Sequence, residues 1–68
     1  MIIYDSIQAA SIEPDDQVLI EGDPVEVWSA VPAENDPTLI VVEGLSNNSG
    51  DKVQYVLSDV AMVELWGV

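Results

Sequence analysis

The stretch that decides the fold is Val18-Leu19-Ile20-Glu21-Gly22-Asp23-Pro24-Val25-Glu26-Val27-Trp28-Ser29-Ala30-Val31. Two apolar runs flank Glu21-Gly22-Asp23-Pro24, a set of residues that reverse a backbone. Glycine admits positive φ, proline presets φ for a turn, and aspartate hydrogen-bonds its own backbone. Val18 and Ile20 share one side of the first run. Val25, Val27 and Val31 share one side of the second, with Glu26, Trp28 and Ala30 opposite. That period of two belongs to half-buried strands, so the stretch reads as a β-hairpin.

Toward the N-terminus, residues 2–12 fit either an edge strand or a helical turn. Pro14 ends both, because the residue before proline is steered to extended geometry. Toward the C-terminus, the prolines at 32 and 37 interrupt the pattern, and Thr38–Glu43 resumes it with apolar residues on both faces, as in a central strand. The polar loop Gly44–Asp51 suits a hairpin. Lys52–Leu57 then alternates, with Val53, Tyr55 and Leu57 on one side. Ser58-Asp59-Val60 reads as a short 3₁₀ turn, and Ala61–Trp66 as the last strand. In that strand Val63 and Leu65 lie opposite Met62, Glu64 and Trp66. Short strands with turns every 8–12 residues indicate a small barrel or sandwich.

In this order the chain resembles SH3-like barrels. Leu57-Ser58-Asp59-Val60-Ala61-Met62-Val63-Glu64-Leu65 is similar to the 3₁₀-plus-last-strand ending of SH3 domains. Val18–Val27 is similar to the opening hairpin of the amino-terminal barrel of translation elongation factor P. The resemblance covers residues 17–66. It implies an all-β, five-stranded SH3-like barrel with a short 3₁₀ turn before the last strand. Residues 1–16 form an N-terminal arm or edge strand, and residues 1–68 form one domain. The families' functions do not follow. The elongation-factor barrel carries a modified lysine at a loop tip, whereas the one lysine here, Lys52, begins a strand. Nor does any run match the aromatic ligand groove of SH3 domains. Short, acidic, cysteine-free chains of this kind resemble small accessory proteins of bacteriophages and prokaryotes.

Thirteen acids against a single base give a net charge of −12. Such a chain has almost no cations with which to displace the counterions of nucleic acid, and it repels anionic membranes. The acids are scattered among valines and isoleucines, unlike the block of a disordered acidic tail. No basic leader or long apolar run is present, so the expected setting is the cytoplasm or a particle assembled there.

The sequence has no cysteine or histidine, which removes the usual nucleophile–base pairs and the thiolate and imidazole metal ligands. The Asn47–Asp51 loop and the acids at 15, 16, 21 and 23 lack the spacing of a calcium loop. The expectation is therefore no catalytic residue, no metal and no cofactor. Trp28, Met62 and Trp66, facing away from the valines and near Glu26 and Glu64, form the candidate partner-binding set, the alternative being that residues 2–12 pack over this outer aromatic strip. Aromatic faces ringed by carboxylates suit lysine or arginine side chains, and they also suit interface anchors. The sequence thus indicates a non-enzymatic acidic module. It would bind a protein with a basic or aromatic-binding surface, or another copy of itself through open sheet edges at the N-terminal segment or last strand. The alternative is an acidic mimic of nucleic acid that inhibits a DNA- or RNA-binding protein.

Overall fold

A computed structural model describes residues 2–67. The strands are β1 (Ile2–Gln8), β2 (Gln17–Ile20), β3 (Asp23–Ala33), β4 (Asp36–Ser46), β5 (Lys52–Ser58) and β6 (Met62–Gly67). They form one antiparallel sheet in the order β1-β6-β2-β3-β4-β5. The sheet curls around a core of Ala9, Ile12, Val18, Ile20, Val25, Val27, Ile40, Val42 and Val63. The chain is all-β and barrel-like, as expected, with six strands where the sequence pattern gave five.

The sixth strand comes from the N-terminal segment. Both readings of residues 2–12 hold part of the truth: β1 pairs with β6 from Ile2↔Gly67 to Gln8↔Met62, and Ala9–Ser11 make a 3₁₀ turn. Ala9 and Ile12 are buried in the core, which explains why this segment belongs to the sheet. Of Ser58-Asp59-Val60, expected to be 3₁₀, Ser58 ends β5 and the other two form a turn closed by the Ala61 N–H donating to the Ser58 carbonyl at 3.0 Å. The last strand is not an edge, because β6 lies between β1 and β2. The two edges are β1 and β5.

The opening hairpin has a two-residue turn. Ile20 pairs with Asp23, leaving Glu21 (φ 52°) and Gly22 (φ 79°) as its tip. Positive φ at both is the type I′ arrangement that matches strand twist. Asp23 and Pro24 already belong to β3. The prolines at 32 and 37 likewise lie within β3 and β4, exposed. Those strands run on to a tip at residues 34–35 in place of the expected break.

A bulge re-phases β3. Val27 pairs with Gly44 and Ser29 with Glu43, so Trp28 is the extra residue. Strict alternation places Val31 with Val25 and Val27. In the structure Ala30 packs on the core and Val31 turns outward, 54% exposed. Gly44 makes this crossing possible. A Cβ there would collide with the Glu26 carbonyl and lie 2.9 Å from Val25 Cγ1.

Candidate partner-binding surface

Directly paired residues in a sheet share a face. Leu65, Val18 and Val25 form one rung facing the core, so Glu64, Leu19 and Pro24 form a rung of the outer face. Gln17 and Glu26 lie on that outer face as well. Met62 and Glu64 are exposed, Met62 to 61%. Met62 aligns with the Glu21-Gly22 tip, while Trp28 aligns with Asp15 at the other end of β2. At about 3.3 Å per residue, that puts them roughly 20 Å apart along the strands. The five residues singled out in the sequence therefore do not converge.

Trp66 departs most from expectation. It is 6% exposed, and its indole N–H donates to the Val18 carbonyl at 3.1 Å. The ring thus lies against β2 and satisfies a backbone acceptor there. It is not available to a partner. The β2–β6 ladder is short, with pairs at Val18↔Leu65 and Leu19↔Glu64, and Trp66 sits one residue past it. A large amphipathic side chain fills that position well, since its polar tip finds a partner as its body is buried.

Trp28 keeps its expected exposure, at 48%. Its neighbours on the outer face of β3, β4 and β5 form three successive rungs: Glu26–Leu45–Lys52, Ser29–Glu43–Gln54 and Val31–Val41–Val56. The last is an apolar band that the sequence reading missed. Val31 and Val56 are exposed and Val41 is half-buried. Thr38–Glu43 is apolar on both faces and interior to the sheet, but only Ile40 and Val42 are covered. Lys52 Nζ lies 3.6 Å from Glu43, and both side chains are exposed, so the pair contributes less than about 1 kcal/mol. The surface around Trp28 thus joins an aromatic ring, a valine band and carboxylates.

A polar lock lies at the opposite end of β3. Asp23 accepts hydrogen bonds from the Ser46 hydroxyl and the Tyr55 phenol, each at 2.6 Å. The Asn47 N–H donates to the Pro24 carbonyl at 2.7 Å. The opening turn is therefore tied to the β4–β5 loop. The Asp23 hydrogen bond raises the Tyr55 pKa above its usual value of 10.0, with desolvation and the charges of Asp23 and Glu21 acting in the same direction. At the β3–β4 tip, Asp36 accepts from the Thr38 hydroxyl at 2.6 Å and from its N–H at 3.1 Å. These two bonds lower its pKa from 3.8. Among the described residues, no group of three acids is placed to hold a metal, and no cavity opens.

No protein-family model matches the chain, and no curated protein matches it. Among solved structures, a translation initiation factor eif-5a family protein from Naegleria fowleri superposes with a TM-score of 0.74. The match covers 93% of this chain and 46% of that one, at 15% identity. The likeness is one of fold, and the chain spans a little under half of that protein's length. No helix among the described residues is long and apolar enough to cross a membrane.

Proposed function

We propose that this chain is a non-enzymatic, SH3-like interaction module that binds a basic protein partner in the cytoplasm or within a particle assembled there. The observation that carries this reading is exposed Trp28 and, beyond the Ser29–Glu43–Gln54 rung of the same face, the Val31–Val41–Val56 band, on a chain of net charge −12. Apolar rungs give affinity, while the carboxylates of Glu26 and Glu43 favour lysine and arginine at the rim. Met62 and Glu64 lie apart from this surface. The fold likeness to a translation-factor family protein supports the barrel reading and leaves the partner open.

The test is capture of interacting proteins on the immobilised chain, with Trp28→Ala and Val31→Ser in parallel and a fold check by circular dichroism. Capture that survives ~0.5 M salt and is lost in either folded variant supports this reading, because apolar contacts are not screened. Capture limited to nucleic-acid-binding proteins, released by salt and indifferent to both variants, would favour the acidic mimic instead. Binding no greater than to an unrelated acidic protein would sink both.

A further inference from the structure

The two sheet edges differ. β1 carries Asp5 and a register shift between Ile3 and Asp5, and a 3₁₀ turn follows it at once. A charge and a bulge are the usual guards against pairing with another chain. β5, Lys-Val-Gln-Tyr-Val-Leu-Ser, has no acid, no proline and no register shift against β4. Its one charge, Lys52, stands at its first position, before the segment Gln54–Ser58, and it carries no carboxylate.

The hydrogen-bond phase of β5 follows from its two ends. The Asp59 N–H donates to the Thr38 carbonyl at 2.8 Å, and the Ser46 N–H to the Asp51 carbonyl at 2.9 Å. Both pairs are in register with the β4–β5 ladder. In an antiparallel ladder hydrogen-bonded pairs recur every second residue, so Val53, Tyr55 and Leu57 bond β4. Lys52, Gln54 and Val56 turn their N–H and C=O groups outward, as Ser58 does its N–H, and β5 has no strand partner there among the described residues; the Ser58 carbonyl accepts from Ala61 in the following turn.

We infer that β5 pairs with β5 of a second copy, antiparallel about a two-fold axis at Val56. This goes beyond the reading above, which concerns a basic partner at the Trp28 face. The register matches Val56 with its own counterpart and Gln54 with Ser58, so both outward groups of Val56, the Gln54 carbonyl and the Ser58 N–H find partners. The Gln54 N–H meets a Ser58 carbonyl that already accepts from Ala61. On the outer face it joins the two valine bands into one stripe across both sheets. An isologous contact of this kind closes as a dimer, whereas β5 on β1 would run head-to-tail and meet the bulge and Asp5. The interface is small and the bodies are strongly like-charged, so the dimer is weak and salt strengthens it.

The experiment is sedimentation equilibrium of the full chain across concentration, at ~50 mM and ~500 mM salt. The expected result is a doubling of the 7.3 kDa mass at high concentration, reached at lower concentration in high salt. Val56→Pro removes an outward donor without touching the β4 ladder, and should weaken the dimer at least about tenfold. Should that variant fail to fold, Val56→Cys replaces it. Cα atoms of a hydrogen-bonded antiparallel pair lie about 5.5 Å apart, within disulfide range. Oxidation should then link Val56→Cys chains, while Met62→Cys, exposed on β6, should not link. A monomer throughout, or a dimer that Val56→Pro leaves intact and Val56→Cys does not link, overturns the inference. Either result leaves the Trp28 surface to be judged by its own variants.

Discussion

The two halves of the β3–β4 ladder are built differently. From Asp23 to Val27, three of five β3 residues are buried, and Ser46, opposite Val25, is 2% exposed. Here the strands are interlocked by Asp23, Ser46, Tyr55 and the closely approaching Gly44. From Val31 to the tip, no residue of β3 is buried, and in its partner segment 36–41 only Ile40 reaches the core. That half is held by backbone pairing, by the one buried side chain Ile40 and by a local Asp36–Thr38 motif. Its valines face solvent. One hairpin thus concentrates stability at one end and leaves apolar surface free at the other, where the proposed partner would bind at little cost to the fold.

The strongest way to break this contrast is Gly44→Ala. The added Cβ would meet the Glu26 carbonyl, backbone that has no flexible end to swing away. We expect a loss of about 3 kcal/mol or more in urea unfolding, enough to unfold a domain of this size. A loss under about 1 kcal/mol would mean that the two strands separate easily here, and the near half would not be the rigid one.

A smaller effect is expected from Asp23→Asn. The amide offers one acceptor oxygen where two hydroxyls need two, and Ser46 is buried, so the cost is about 1–3 kcal/mol. The same contact makes an alkaline prediction. A tyrosine pKa raised in the fold stabilises the protein below the unfolded value of 10.0, and that stability is lost as pH climbs through the higher folded value. Thermal stability of the wild type should therefore fall above pH 10, and Tyr55→Phe should make that fall shallower. Equal slopes would show that the phenol does not face the carboxylate.

Much of the fold was legible because its signals are local. The Glu21-Gly22 turn and the alternation of Lys52–Leu57 follow from residue type and period alone, and Val53, Tyr55 and Leu57 do pack on the core. What escaped depends on pairing between distant segments. The bulge at Trp28 moves Val31 to the outer face, a one-residue slip that a period-two count cannot register. Gly44, which the sequence pattern assigned to the polar loop but which lies within β4, was its one sequence signal, since glycine in a strand marks a close backbone approach. Trp66 was misplaced for a similar reason. Alternation puts it opposite Leu65, but its burial follows from where the β2–β6 ladder stops. The Asp23–Tyr55 contact spans 32 residues and leaves no local trace. Of the candidate surface, Trp28 and Glu26 were legible, and the valine band was not.

The smallest effect belongs to the far tip. The Thr38 hydroxyl and N–H both favour the charged form of Asp36, so its folded pKa lies below 3.8. The sign follows: this contribution is present above pH 3.8 and disappears as pH falls through the lower folded value. Because Asp36 is open to water at the tip, acid should loosen the tip and leave the near half intact. Amide hydrogen exchange at Thr38 should accelerate, relative to its intrinsic rate, between pH 4 and pH 2, and Asp36→Asn should show that faster exchange at every pH. Exchange at Val25 and Val27 should be unchanged over the same range. If those core amides speed up together with Thr38, the hairpin opens as one unit and the division between its halves fails.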